Sequence, residues 1–142
     1  DVLNGQEVTG DCVVIGGGLV GAETAEYLAN KGHQVTIVEM MDKIAAGEST
    51  TVLPLMMKDF ADHNVKQLVN TKVDHIENNI VYTANDQIKA DTIINALGSK
   101  KNIFDDSSIT IPHVCVGDCS GERTADIASA IRTAYKAANE IG

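Results

Sequence analysis

The sequence of 142 residues contains no tryptophan, and only 4% of its residues are aromatic. A folded core must therefore consist mainly of Val, Ile, Leu, Ala and Met, for which the hydrophobic content of 44% is sufficient. Basic residues are also few: 11 Lys and Arg stand against 20 Asp and Glu, which gives a formal net charge of −9. This acidity argues against nucleic acid or an anionic membrane as a main partner.

The three cysteines, Cys12, Cys115 and Cys119, lack the C-x-x-C spacing of a zinc or iron–sulfur ligand set. We therefore expect reduced thiols and no metal site. No apolar run has the length of a membrane span, and the first residues lack the basic and apolar regions of a signal peptide. We expect a cytoplasmic chain that is a cut from something longer.

A short apolar run, Val13-Val14-Ile15, ends in a glycine-rich turn that leads into a helical pattern. Gly16, Gly18 and Gly21 have the spacing G-x-G-x-x-G. The first glycine permits a tight turn, the second lets the backbone approach a pyrophosphate, and the third lets the helix pack closely on the strand. The helix N-terminus adds unpaired N–H groups and partial positive charge. The turn therefore predicts a dinucleotide site.

A second apolar strand at 34–38 ends in Glu39, eighteen residues after Gly21. An acidic side chain at this place accepts hydrogen bonds from the adenine ribose, and its charge repels a 2′-phosphate. No arginine follows Glu39 closely, and Lys43 is the nearest base. We therefore predict binding of NADH in preference to NADPH.

The apolar pattern predicts a three-layer, Rossmann-like α/β fold with helices on both faces of a parallel sheet and a β-meander in place of one helical crossover. The strands expected in the parallel sheet are 12–15, 34–38, 65–69 and 91–97, in an order near 3-2-1-4, and 12–15, 34–38 and 91–97 are expected to be buried. The meander is expected at 72–76, 80–83 and 87–90, and a further strand at 114–116. The first expected helix is 20–31, with an apolar stripe of Val20, Thr24, Ala25 and Leu28. The second is 51–63, with Pro54 in its first turn. The third is about 124–141, with a buried stripe of Ile127, Ile131, Ala134, Ala138 and Ile141. We expect 114–116 to join the sheet as a fifth strand or to swap to another copy.

Four segments in this order carry a family resemblance: the glycine turn from Ile15, the strand ending at Glu39, Asn95-Ala-Leu-Gly98, and Val114-Cys-Val-Gly-Asp118. The chain resembles the nicotinamide-binding domain of flavoproteins with two dinucleotide-binding domains. More closely, it resembles the C-terminal part of the NADH:flavin oxidoreductases related to old yellow enzyme, a branch that includes 2,4-dienoyl-CoA reductase and 2-enoate reductase.

The resemblance implies an NAD(H)-binding domain at 1–98, followed at 99–142 by a linker and the C-terminal return segment of an FAD-binding domain. It also implies an upstream FMN barrel, a 4Fe-4S cluster and most of the FAD site, all absent from this sequence. Electrons would pass from NADH to FAD, then to FMN and to a C=C acceptor. The partner would be the remainder of the same polypeptide. The resemblance does not decide whether the protein forms an oligomer.

The resemblance implies roles for particular cofactor-binding residues and for no catalytic side chain. A first set would cradle the pyrophosphate and ribose of NADH: Gly16, Gly17, Gly18, Leu19, Val20, Gly21, Glu39, Met40 and Lys43. A second set would close the nicotinamide end: Ala96, Leu97 and Gly98.

Four further residues keep two interpretations each. Glu23 would lie near the nicotinamide carboxamide, or is a first-turn acid favoured by the helix dipole. Gly117 and Asp118 would contact FAD through a ribityl hydroxyl, or they merely end a strand and cap a helix. Cys119 is a redox thiol or, as we prefer, a passive one. Two other functions remain open for the chain: a non-catalytic nucleotide-binding module, and a fragment of a pyridine-nucleotide disulfide reductase.

Overall fold

A four-stranded parallel sheet lies at the centre of the computed structural model, which describes residues 2–46, 51–98, 105–120 and 127–140. The strands are β1 (Cys12–Ile15), β2 (Val35–Val38), β3 (Lys66–Leu68) and β7 (Thr92–Asn95), in the order β3-β2-β1-β7. The chain divides into two units, Asp1–Gly98 and Ser99–Gly142, and the sheet belongs to the first. The predicted α/β class and strand order are confirmed.

The sheet is centred on β1, in which all four residues are buried. Its register with both neighbours is in step, since Ile15 pairs with Val38 on one side and with Asn95 on the other. Parallel strands in step end together. The residues that follow β1, β2 and β7 therefore share one edge of the sheet, where ligands bind in folds of this type.

Two helices, α1 (Leu19–Asn30) and α2 (Leu53–Asp62), share one core with one face of the sheet. The buried side of α1 is made of small residues, among them Ala22, Ala25 and Ala29, so the helix approaches the strands closely. Pro54 lies in the first turn of α2, as predicted. The prediction that Val20 is buried is wrong, because it is 62% exposed. Gly21 packs against the glycine turn, and Val20, the residue before it, points about 100° away around the helix and into solvent.

The other face of the sheet is covered by an antiparallel meander, as predicted. The prediction of helices on both faces is wrong for the first unit, because α1 and α2 pack on the same face and the meander occupies the place of a helix on the other. Its strands are β4 (Val73–Glu77), β5 (Ile80–Thr83) and β6 (Gln87–Lys89). Val81 and Ala90 of this region pack against Val13, Ile15 and Val38 of the sheet. Successive residues of β1 thus point to opposite cores, which explains why its sequence is continuously apolar.

One edge of the sheet differs from expectation. The strand predicted at 91–97 is present at Thr92–Asn95, but the prediction that it is buried is wrong, since its first three residues are half-buried and Asn95 is exposed. The reason is that β7 pairs with β1 alone among the described strands, so its outer side has no neighbouring strand.

The second unit contains a 3-10 turn at Gly117–Cys119 and helix α3 (Ile127–Glu140). The predicted strand at 114–116, and with it the fifth strand of the sheet, is wrong, because these residues pair with no strand in the described chain.

The predicted buried stripe of α3 is also wrong. Ile127 is 80% and Ile131 64% exposed, and Ala134 and Ala138 are exposed too. The buried residues are instead Ser129, Thr133 and Ala137. Within its unit α3 contacts the 3-10 turn and not a sheet, so the side facing that turn is the one buried. Residues 124–126 and 141 of the predicted helix lie outside the described residues. Among the helices of the described ranges, none is both long and apolar enough to span a bilayer.

Candidate functional site

A cleft of about 640 Å³ opens at the carboxyl edge of the sheet. One wall comes from residues that follow the strands, and a second from the segment that leads into and forms most of β4. The lining residues are Ile15, Gly16, Gly18, Val38, Glu39, Met40, the segment 71–76, and the segment 95–98. The cleft thus lies where the shared strand ends predict a ligand site, and it joins most of the candidate residues of the first unit.

Gly16 and Gly21 are required by the close packing of the turn. Gly16 has φ +99°, and a Cβ on it would lie 2.6 Å from the carbonyl oxygen of Ala96. A Cβ on Gly21 would lie only 1.9 Å from the carbonyl oxygen of Gly16. Both positions therefore exclude any larger residue. Gly16 is needed for the tight turn beside β7, and Gly21 is needed for the close contact between α1 and that turn.

Gly18 differs, because a Cβ there would meet no atom within 4 Å. Its side is open space facing the cleft. Gly18 is also the N-cap of α1 and supplies no side-chain hydrogen bond. The amide of Ala22 makes the first helical bond, to the Gly18 carbonyl. The amides before it have no acceptor within the helix, so the turn presents donors beside an open face.

Glu39 follows β2 and is 9% exposed. Its Oε2 accepts a hydrogen bond of 2.6 Å from the amide of Gly17, and its Oε1 accepts one of 2.7 Å from the amide of Met41. The carboxylate therefore bridges the glycine turn and the loop after β2. Each oxygen keeps a further lone pair for a donor in the cleft.

Gly17 is enclosed by residues that the sequence did not indicate. The amide of Ala45 donates to the Gly17 carbonyl at 2.6 Å, and Ala45 itself has φ +50°. A Cβ on Gly17 would lie 2.5 Å from Cδ1 of Ile44 and 3.0 Å from Cβ of Glu39. Ile44 and Ala45 belong to a loop without periodicity, so no local pattern could have identified them.

The second wall of the cleft was also missed. The amide of Thr71 donates to the Glu39 carbonyl at 2.8 Å, and the amide of Asn70 donates to the Met41 carbonyl at 2.8 Å. These bonds hold the start of the wall against the loop after β2. The parallel pairing of β3 with β2 could have suggested this, because it brings the residues after β3 to the same edge.

The remaining candidates of the first unit occupy different places. Met40 and Leu97 are exposed and line the cleft. Leu19 and Val20 are exposed at the first turn of α1. Glu23 and Lys43 are exposed and stand outside the lining of the cleft.

Gly117 and Asp118 belong to the second unit. Gly117 has φ +65°, and its amide donates to Oγ1 of Thr133 at 2.8 Å. The Thr133 hydroxyl in turn reaches the carbonyl oxygen of Ser129 at 3.0 Å. Asp118 is exposed in the 3-10 turn. The buried hydroxyl of Thr133 thus ties the Gly-Asp turn to α3.

Cys12, Cys115 and Cys119 are all free thiols. Burial raises the pKa of the Cys12 thiol, and the charges of Asp11 and Asp91 raise it further, which makes it a poor nucleophile. In the described ranges, no group of three or more His, Cys, Asp or Glu residues could hold a metal ion.

Two known reductases are similar in sequence to nearly the whole chain. Bilirubin reductase of Mediterraneibacter gnavus is 46% identical over 148 residues, which cover 99% of this chain and 23% of the relative. Cinnamate reductase of Clostridium sporogenes is 30% identical over 154 residues, with the same coverage of 99% and 23%. The chain thus spans about a quarter of the length of these relatives.

A solved structure of 2-naphthoyl-CoA reductase in complex with 2-naphthoyl-CoA has a TM-score of 0.73 and 26% identity, over 95% of this chain and 22% of that one. The family model described as pyridine nucleotide-disulphide oxidoreductase matches residues 1–114. A second solved structure, a water-forming NADH oxidase from Lactobacillus brevis bound to NADH, has a TM-score of 0.56 and 25% identity over 65% of this chain and 22% of that one, in agreement with the α/β fold. The chain belongs to the pyridine nucleotide-disulphide oxidoreductase family.

Proposed function

We propose that the first unit binds NADH and serves as the electron-entry domain of a larger flavin oxidoreductase. The observation that carries this proposal is the pairing of an open, uncapped glycine turn with a buried carboxylate. Gly18 leaves space for a pyrophosphate, and Glu39 is fixed at its edge through the amide of Gly17. Both features face the same cleft, whose size suits a small-molecule ligand.

The chain's residues fit a dinucleotide on physical grounds. The uncapped N-terminus of α1 offers amide donors and partial positive charge to the pyrophosphate. Glu39 is held rigidly by two hydrogen bonds, so it can receive a ribose hydroxyl without first losing conformational freedom. A 2′-phosphate would meet this carboxylate with a like charge. Lys43, the nearest base in the sequence, stands outside the lining of the cleft, whereas Lys72 lies in it, on the wall formed by the segment 71–76. NADH is therefore preferred to NADPH.

Residues after β7 would complete the site at its nicotinamide end. The side chain of Asn95 accepts a hydrogen bond from the amide of Leu97 at 3.1 Å, which orders the backbone of Ala96, Leu97 and Gly98 beside the cleft. NADH, when bound, supplies a hydride from its nicotinamide ring to FAD. The protein's part is binding and orientation, so no acid, base or nucleophile is assigned to this chain.

The similarity to bilirubin reductase and cinnamate reductase over 99% of the chain supports the finer proposal of a reductase of the 2-enoate reductase type. In such a protein the acceptor would be an unsaturated C=C compound, and FMN and a 4Fe-4S cluster would lie in the rest of the polypeptide. The second unit would contribute Gly117 and Asp118 to the FAD site. The main partner of the given chain would thus be the rest of the same polypeptide.

Calorimetric titration of the purified chain with NADH and with NADPH tests the proposal for the first unit. We expect NADH to bind more tightly. Absence of NADH binding, or tighter binding of NADPH, would overturn the assignment of Glu39. For the finer proposal, the visible spectrum of the intact longer polypeptide is decisive, because a colourless protein without flavin contradicts an oxidoreductase of this type.

A further inference from the structure

The wall of the cleft formed by the segment 71–76 carries one ring of an aromatic pair. The rings of His75 and Tyr82 are stacked, with centroids 4.4 Å apart and an angle of 6° between their planes. His75 is among the residues that line the cleft, whereas Tyr82, its partner in the adjacent strand β5, is not. We infer that His75 is a stacking platform for the adenine base of the bound nucleotide. The inference rests on the proposed function and names a residue that binds the adenine half of the ligand.

A local irregularity of β4 positions the His75 side chain. Val73 pairs with Thr83 and His75 with Tyr82, so Asp74 is an extra residue between two consecutive pairs. Such a bulge interrupts the regular alternation of side chains and redirects them. Val73 packs against the core beneath the meander, while His75 is exposed, lines the cleft and stacks on Tyr82 of the adjacent strand.

The position of His75 along the cleft favours adenine over nicotinamide. β1 lies between β2 and β7, so the loops after β2 and after β7 are on opposite sides of the glycine turn. The start of the His75 wall is bonded to the β2 side, through Thr71 and the Glu39 carbonyl. With the pyrophosphate at the glycine turn and a ribose at Glu39, the base that follows that ribose comes to this wall.

The chemistry of the pair suits a purine. Tyr82 covers one face of the imidazole and holds the ring in place, so the opposite face is the one left for a ligand. Stacking on an aromatic ring does not depend on the base's hydrogen-bonding groups, and removal of such a ring typically weakens binding by about ten- to a hundredfold. A ring that is already oriented loses little freedom on binding.

The test compares three probes: NADH, ADP-ribose, which contains the adenine half, and reduced nicotinamide mononucleotide, which lacks it. Dissociation constants are measured for the native chain and for His75→Ala, His75→Phe and Tyr82→Ala. His33→Ala serves as the matched control, because it removes a histidine of the same unit that lies outside this cleft. Circular dichroism confirms that each variant is folded.

We expect His75→Ala to weaken NADH and ADP-ribose by about tenfold and to leave reduced nicotinamide mononucleotide unchanged. His75→Phe should restore binding, because it keeps a ring face, and Tyr82→Ala should give a smaller loss. Ring-current shifts of the His75 protons on addition of ADP-ribose would support the stack directly.

Two outcomes overturn the inference, and they are distinct from failure of the proposed function. Equal NADH affinity of His75→Ala and the native chain rejects the platform. If His75→Ala weakens binding of reduced nicotinamide mononucleotide and leaves binding of ADP-ribose unchanged, the wall binds nicotinamide and not adenine. If the native chain binds neither NADH nor ADP-ribose, the proposed function itself fails and the inference with it.

Discussion

Replacement of Glu39 by glutamine tests whether this side chain serves the fold as well as the ligand. The native carboxylate accepts two backbone hydrogen bonds, at 2.6 Å from Gly17 and 2.7 Å from Met41. A glutamine side chain has only one acceptor oxygen. Its NH₂ group must face one of the two amide donors, so one native hydrogen bond is lost.

The expected loss of stability follows from where the two donors lie. The bond to Gly17 is buried and the bond to Met41 only partly so. The glutamine oxygen should therefore stay on Gly17 and leave the amide of Met41 to water. A hydrogen bond to a charged group contributes about 1.5–3 kcal/mol, and access of water recovers part of it. We expect Glu39→Gln to lower the free energy of unfolding by about 1.5 kcal/mol, or the melting temperature by roughly 5–10 °C.

The same variant should change ligand preference. Removal of the negative charge removes its repulsion of a 2′-phosphate, so the ratio of NADPH to NADH affinity should rise about tenfold, equivalent to about 1.4 kcal/mol. Thermal unfolding followed by circular dichroism measures the first effect, and calorimetric titration measures the second.

Glu23→Gln is the matched control for Glu39→Gln, because Glu23 is an exposed glutamate of the same unit outside the lining of the cleft. It should leave the melting temperature within about 1 °C of native, as surface substitutions usually do. A Glu39→Gln protein as stable as native would refute the structural role of the carboxylate. An unchanged preference between the two nucleotides would refute its role in selection.

Two other predictions concern the glycine turn and a carboxyl pair between the helices. Gly21→Ala should destabilise the protein by at least about 2 kcal/mol, since its Cβ would lie 1.9 Å from a backbone oxygen. Gly18→Ala meets no atom, so it should fold normally and weaken NADH binding alone. Glu26→Gln should stabilise the protein increasingly above pH 4.5. Burial, the hydrogen bond to Asp59 and the charges of neighbouring acids raise the pKa of Glu26 above that ordinary value.

The sign for Glu26 follows from linkage. The folded protein holds the Glu26 proton to a higher pH than the unfolded chain does. The associated stability is present below pH 4.5 and is lost as the pH rises through the higher pKa of the folded state. Urea unfolding of native and variant protein at several pH values measures the difference, and parallel curves would contradict it. For the glycines, equal stability of the two alanine variants would contradict the proposed packing of Gly21.

Much of the first unit could be predicted from short stretches of sequence. The run Cys12–Ile15, the glycine turn, the helix after it and the strand Val35–Val38 form one βαβ unit, whose signals are apolar periodicity and glycine spacing. The asparagines at 78 and 79 likewise indicated the turn between β4 and β5, where both adopt positive φ. These elements were found because their determinants lie within a few residues of one another.

The errors arose where burial depends on distant neighbours. The apolar periodicity of α3 indicates which residues would be buried if a surface covered them, but not whether one does. In this structure Thr133 is buried against the Gly-Asp turn, and Ile127 and Ile131 are exposed. Similarly, Val114 and Val116 have the composition of a strand, yet a strand requires a partner, and none of the described strands pairs with them.

The sequence by itself determined the α/β fold, the glycine turn and the candidate acid Glu39, because glycine spacing and strand periodicity are local properties of the chain. Only the tertiary structure decided that the Glu39 carboxylate binds the amide of Gly17, 22 residues away, and that the segment 71–76 forms a wall of the cleft. These contacts depend on the parallel register of β1, β2 and β3. Because the carboxyl ends of these strands meet at one edge of the sheet, the glycine turn lies in a cleft with two walls.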